Sequence, residues 1–167
     1  GHAAHFGVAV EELGLEFADE FGLVVLRRVE HGFGVLHGAG FDHSTWALHS
    51  RWFAHHGYSV LAPDLPGHGR SAGKPLPSIE DLADWVELLM ERVGAGATAR
   101  SVSLVGHSMG SLAGLECASR HPARIARIAL IGTAVPMPVS DALLGAAKED
   151  EPKAIAMINN WSHSPRS

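Results

Sequence analysis

Val102-Ser103-Leu104-Val105-Gly106-His107-Ser108-Met109-Gly110 is the stretch whose reading decides the fold. Val102 to Val105 is a short apolar run rich in β-branched residues, and Ser108 to Arg120 reads as a helix. Gly106-x-Ser108-x-Gly110 therefore has to turn the chain from strand into helix within a few residues. The flanking positions must be small, because strand and helix nearly touch there. A serine at the top of such a turn holds a strained backbone that pushes its hydroxyl out of the sheet. It also stands at a helix N-terminus, where free N–H groups and the helix dipole favour a developing negative charge. A bare Gly-x-Ser-x-Gly says little, and the competing reading is an ordinary glycine-rich turn. Between a buried strand and a helix the pattern becomes specific, and it makes Ser108 a candidate nucleophile.

Working outward, the same alternation repeats. Upstream, Phe33-Gly34-Val35-Leu36 is a short buried-type strand that runs into His37-Gly38-Ala39-Gly40. A helix capped by Ser44 or Thr45 follows, carrying Trp46, Leu48, Trp52 and Phe53 and ending at Gly57. Ser59 to Ala62 is the next strand, stopped by Pro63, and the Gly- and Pro-rich stretch from Asp64 to Pro77 is loop. Ser78-Ile79-Glu80-Asp81 has a small polar cap and acids in the first turn. Ile79, Leu82, Val86, Leu89 and Val93 follow at helical spacing, with Gly94 and Gly96 closing the helix. Downstream of the Ser108 helix, Ile128 to Ile131 is a further strand. Before residue 32 the reading is open: Val8–Val10 and Leu23–Val29 are β-prone, with a turn at Gly22. Strands alternating with helices predict a doubly wound, mostly parallel α/β sheet, and apolar strands without polar alternation predict that both faces are covered.

Composition narrows the function classes. The chain has 167 residues, 46% hydrophobic and 19% charged, with a formal net charge of −5. That is a globular composition without a basic run, which argues against nucleic acid or an anionic membrane as a partner. Cys117 is the single cysteine, so no internal disulfide can form. The 12 histidines are scattered, none in the His-Glu-x-x-His or paired Cys/His spacing of a zinc site, so no metal is expected. No apolar run reaches membrane-spanning length and no signal peptide is legible, so a cytoplasmic protein is expected.

His37-Gly38-Ala39-Gly40, Asp64-Leu65-Pro66-Gly67-His68-Gly69-Arg70-Ser71 and Gly106-His107-Ser108-Met109-Gly110, in that order, resemble the α/β-hydrolase superfamily, in particular its small esterase-like and C–C-hydrolase-like members. The resemblance runs from about residue 33 to 135 and implies a Ser-His-Asp/Glu triad, an acyl-enzyme attacked by water, and no metal or organic cofactor. The backbone N–H groups of Ala39 and Met109 are then the oxyanion donors. His37, Gly38 and His107 are expected to contact a small-molecule ester or acyl substrate. Serine at the elbow argues against the dehalogenase and epoxide-hydrolase relatives, which place Asp there. His68 is expected to be structural or mouth-lining and His121 a surface residue. C–C bond hydrolysis, lactone hydrolysis and perhydrolysis stay open, as does a non-catalytic module that keeps the fold for binding or assembly.

The triad follows the chain order Ser, acid, His. Residues 1–135 read as the N-terminal part of the core. Pro136 to Ser167, helix-prone around Ala142–Lys148 and Pro152–Ile158, reads as the start of a helical cap. On that reading the fold is truncated after about the sixth strand, and the acid and histidine lie beyond residue 167. His163 with Asp141, Glu149, Asp150 or Glu151 satisfies the chain order, but from cap positions rather than strand ends. Ile155, Met157, Ile158 and Trp161 either line an acyl pocket or simply pack the cap. The charged run Arg27–Glu30 suggests unusual pairing of the first strands. The strand at Ile128 is expected to be a bare edge, and self-association or a C-terminal complementing part is expected to cover it.

Overall fold

Adjacent residues Val35 and Leu36 are both buried, yet they belong to different clusters, because successive side chains of a strand point to opposite faces. One cluster gathers Val35, Trp46, Val60 and Ala62, with Phe33, Phe53 and Val105 against it. The other gathers Leu36, Leu65, Leu82, Val86, Met90, Val102, Leu104, Ala113, Cys117 and Ile125. A sheet with apolar cover on both faces results. The computed structural model describes residues 15–18, 23–26, 32–92 and 102–162.

The strands are β1 (Leu15–Ala18), β2 (Leu23–Leu26), β3 (Gly32–Leu36), β4 (Ser59–Ala62), β5 (Val102–His107) and β6 (Ile125–Ile131), in the sheet order β1-β2-β4-β3-β5-β6. β4, β3, β5 and β6 run parallel, with Leu36 opposite Gly106 and His107 opposite Ile131. β1 and β2 pair antiparallel, and β2 adds antiparallel to β4. The helices are α1 (Ala47–His55), α2 (Ile79–Arg92), α3 (Met109–Arg120), α4 (Asp141–Glu149) and α5 (Glu151–Ser162). Phe53 of α1 serves the first cluster, and α2 and α3 serve the second. This is the doubly wound, mostly parallel α/β fold.

α2 shows why the sequence folds as it does. Ser78 Oγ accepts from Asp81 N–H at 3.0 Å and donates to Asp81 Oδ2 at 2.6 Å, which satisfies a first-turn amide. Leu82, Ala83, Val86, Leu89 and Met90 then bury one face. Each large side chain removed from water contributes about 1.5–3 kcal/mol.

Some boundaries differ from expectation. The turn before α1 is a 3-10 segment, His43–Trp46, whose cap is Asp42 rather than Ser44 or Thr45: the Asp42 carboxylate accepts from Ser44 N–H at 2.8 Å. β6 starts at Ile125 rather than Ile128, because its backbone pairs with β5 although Ala126 and Arg127 face solvent. β5 extends through Gly106 and His107. β1 had no counterpart in the sequence reading. Val8–Val10, Gly22, Arg27–Glu30, Val93, Gly94, Gly96 and His163 lie outside the described residues.

β6 is an edge strand, and Ile128, Leu130 and Ile131 are exposed on it. The chain divides into two compact units, Gly1–Thr133 and Ala134–Ser167. In the second, α4 and α5 pack on each other. Ser140 Oγ caps α4 through Leu143 N–H at 3.2 Å, and Asp150 Oδ1 accepts from Lys153 N–H at 3.2 Å at the start of α5. Ile155 and Trp161 are exposed, Met157 and Ile158 half-buried. Among the described residues no helix is long and apolar enough to cross a membrane.

Candidate active site

Ser108 is the one residue other than glycine with positive φ among the described residues, at φ 52 and ψ −119. Such a conformation costs on the order of 1–3 kcal/mol and persists only where its surroundings enforce it. They do so here on every side. A Cβ on Gly106 would lie 2.4 Å from both Gly110 O and Ser111 Cα, so strand β5 and helix α3 meet backbone to backbone. A Cβ on Gly110 would lie 2.5 Å from His37 O and 2.6 Å from Leu36 O, so α3 is equally tight against the end of β3. Ser108 N–H donates to Ile131 O at 2.9 Å, and Ser108 O accepts from Ser111 N–H at 2.9 Å and Leu112 N–H at 3.3 Å.

The end of β3 is brought to the same place. A Cβ on Gly38 would lie 3.0 Å from His107 Nδ1 and 3.2 Å from Ser108 Cβ. Gly38, His107 and Ser108 are thus assembled together, with Ala39 half-buried beside them and Met109 as the first residue of α3. The N–H of a first helical residue has no acceptor within its helix and is available to a ligand. The ring of His107 packs edge-on to Phe41 at 6.0 Å and against Gly132. Among the described residues its Nδ1 is buried without a hydrogen-bond partner.

The His37 side chain is held within the protein. It is fully buried, its Nε2 accepts from Leu65 N–H at 2.9 Å, and its Nδ1 lies 2.8 Å from Gly38 O. Because Nε2 must accept, Nδ1 carries the proton and donates to the Gly38 carbonyl. Both ring nitrogens are spent on the protein. Burial holds the pKa of His37 below the ordinary value, with the nearby His68 acting in the same direction, which keeps the ring in this neutral form. The ring of His68 sits 5.1 Å from that of His37, its Nδ1 3.1 Å from Pro66 O. His121 ends α3, its Nδ1 3.7 Å from Glu87 Oε1.

Asp64 had no assigned role in the sequence reading, and the structure makes it the post of the neighbouring loops. It is fully buried, and Oδ1 accepts from His43 N–H at 2.7 Å and lies 2.8 Å from His43 Nδ1. Oδ2 accepts from Arg70 N–H at 2.8 Å. Gly69, at φ +50, leaves room for this carboxylate: a Cβ there would meet Asp64 Oδ2 at 2.3 Å. The Asp-x-x-Gly-x-Gly spacing carried that signal. Asp42, His43 and Asp64 bring one ligand-type atom each within 4.8 Å of one another. Those donors are already engaged, with the Asp42 carboxylate on Ser44 and those of His43 and Asp64 on each other, so the cluster reads as a loop tie. The bond from Ser44 holds the pKa of Asp42 below the usual carboxylate value. Among the described residues no histidine hydrogen-bonds Ser108 Oγ.

The family model described as "Alpha/beta hydrolase family" matches residues 35–166. The chain is 36% identical over 77 residues to a pimeloyl-[acyl-carrier protein] methyl ester esterase of Aromatoleum aromaticum, over 46% of this chain and 27% of that protein. Est816, a solved structure described as an N-acyl homoserine lactone degrading enzyme, aligns with a TM-score of 0.71 at 22% identity, covering 89% of this chain and 57% of that one. A monoacylglycerol lipase of Paleococcus ferrophilus aligns with a TM-score of 0.62 at 25% identity, covering 77% and 50%. The chain therefore spans only part of the length of each of these proteins.

Proposed function

The chain belongs to the alpha/beta hydrolase family, and from that premise we propose that it is a serine hydrolase of carboxylic esters or related small acyl compounds, working through an acyl-enzyme on Ser108. The observation that carries this reading is the strained backbone of Ser108 between β5 and α3, enclosed by Gly106 and Gly110, where any Cβ would run into backbone atoms. Strain of that kind is what a strand-to-helix elbow uses to lift a nucleophile's hydroxyl clear of its sheet.

In the proposed reaction Ser108 Oγ attacks the acyl carbonyl as a histidine outside the described residues takes its proton. The carbonyl oxygen becomes an oxyanion held by the N–H groups of Ala39 and Met109. Removing one such donor typically costs about 10²–10³ in rate. The leaving alcohol takes the proton from the histidine, and water then releases the acid by the same steps in reverse. Gly38 and His107 form the wall beside the nucleophile. The esterase, lactone and lipase chemistry in the relatives' descriptions supports an acyl substrate in general rather than a particular one.

The test is hydrolysis of a p-nitrophenyl ester series, acetate to octanoate, with acid quench and mass spectrometry of the Ser108 peptide. An acyl adduct on Ser108 and loss of turnover in Ser108→Ala are expected. Undiminished turnover in Ser108→Ala refutes the proposal, and a folded chain that neither turns over nor acylates favours the non-catalytic module.

A further inference from the structure

A peptide unit is rigid and planar, so whatever holds its carbonyl oxygen also aims the N–H at its other end. The Ser108 carbonyl and the Met109 N–H belong to one such unit. Besides the two α3 amides, the Ser108 carbonyl accepts a third bond, from the Ser111 hydroxyl. Ser111 is fully buried, and its Oγ in turn accepts from Thr133 Oγ1 at 2.7 Å. Thr133 lies just beyond β6, whose Ile131 carbonyl already holds Ser108 N–H.

We propose that the hydroxyl chain Thr133–Ser111 is a positioning device that locks the Ser108–Met109 peptide unit and so aims the Met109 N–H at the oxyanion. The inference rests on Ser108 being the nucleophile. The chain does two things that the helix amides alone do not. It ties the first turn of α3 to the end of β6, so the elbow is held from two elements. It also adds a bond to the carbonyl, which polarises the peptide unit and strengthens its N–H as a donor. Thr133 acts on the site only through Ser111, and neither residue touches substrate.

The test uses the full chain and the variants Ser111→Ala, Thr133→Val, Thr133→Ser and the Ser111→Ala/Thr133→Val double. Two readouts are taken: the Ser108 carbonyl carbon and Met109 amide resonances by NMR, and the limiting rate and half-saturation of fluorophosphonate labelling at Ser108. Both resonances should move in Ser111→Ala and, less, in Thr133→Val, with Thr133→Ser close to the parent chain. The limiting labelling rate should fall about tenfold in Ser111→Ala, a size typical of small misplacements of a catalytic group. Half-saturation should stay within about twofold and the pH profile unchanged, which a loss of fold would not produce. The double variant should be no slower than Ser111→Ala. Unmoved resonances in Ser111→Ala, or additive losses in the double variant, overturn the proposal. If the parent chain is labelled at another residue and not at Ser108, the nucleophile reading fails and this proposal falls with it; label at Ser108 with unmoved resonances overturns the proposal alone.

Discussion

Replacing Gly110 with alanine places a methyl carbon 2.5 Å from His37 O, 2.6 Å from Leu36 O and 2.7 Å from Leu36 C. Ordinary carbon contacts lie at about 3.5–4.0 Å, so the first turn of α3 must move about 1 Å from the end of β3. All three obstacles are backbone and cannot rotate aside, which puts the cost at the upper end of overpacking, about 3 kcal/mol. Alanine recovers at most about 1 kcal/mol of helix propensity. The net expectation is a loss of about 2 kcal/mol, or a Tm lower by about 4–8 °C. Gly114, on the same helix, is the matched control. A Cβ there meets Leu36 Cδ1 at 3.8 Å and Leu104 Cβ at 3.9 Å, ordinary contact, so Gly114→Ala should gain about 0.5–1 kcal/mol. Urea unfolding followed by far-UV circular dichroism gives both values. Changes of the same sign, or a Gly110→Ala chain as stable as the parent, would refute the close-approach argument.

His37 binds a proton less readily in the folded chain than in the unfolded one, where the value is 6.5. Its contribution to stability is therefore complete above pH 6.5 and is lost as pH falls from there through the lower folded value; the drop in unfolding free energy between pH 7.5 and 5 should be smaller in His37→Gln. Asp64→Asn puts an amide where a buried carboxylate accepts from His43 and Arg70, and should destabilise by about 2–4 kcal/mol in the same urea assay. Cys117 is buried, its thiol pushed up to about 11 chiefly by burial and then by Glu87, so a disulfide reagent at pH 7.5 should modify the native chain at least about 100-fold more slowly than the unfolded one. Exposed Ile128 and Ile131 on the β6 edge should drive association, with lysine at both lowering the mass seen by light scattering; a parent chain that is monomeric with no second polypeptide present contradicts this.

The core strands and the elbow were legible because they rest on local signals. Val102–Val105 and Ser59–Ala62 are continuous apolar runs, and the glycines around Ser108 mark a strand-to-helix reversal. β1 was missed because Leu15–Ala18 is short and its partner, β2, supplies the pairing that makes it a strand. Ile125–Arg127 was missed because Ala126 and Arg127 face solvent and leave Ile125 without an apolar run, so hydrophobicity did not report the ladder. His37 could be singled out, but its role depends on a bond to Leu65, far along the chain, that no spacing encodes. The same holds for Asp64 with His43, and for Ser111 with Thr133. Sequence reveals groups able to react; partners brought by the fold decide which of them are free to do so.

The most direct test of Ser108 as nucleophile is to treat the folded chain with a fluorophosphonate probe and map the labelled residue by mass spectrometry, with Ser108→Ala alongside. The account predicts a single phosphonylated peptide carrying Ser108 and no label in Ser108→Ala. Label carried by a residue other than Ser108, or equal label in Ser108→Ala, would contradict it.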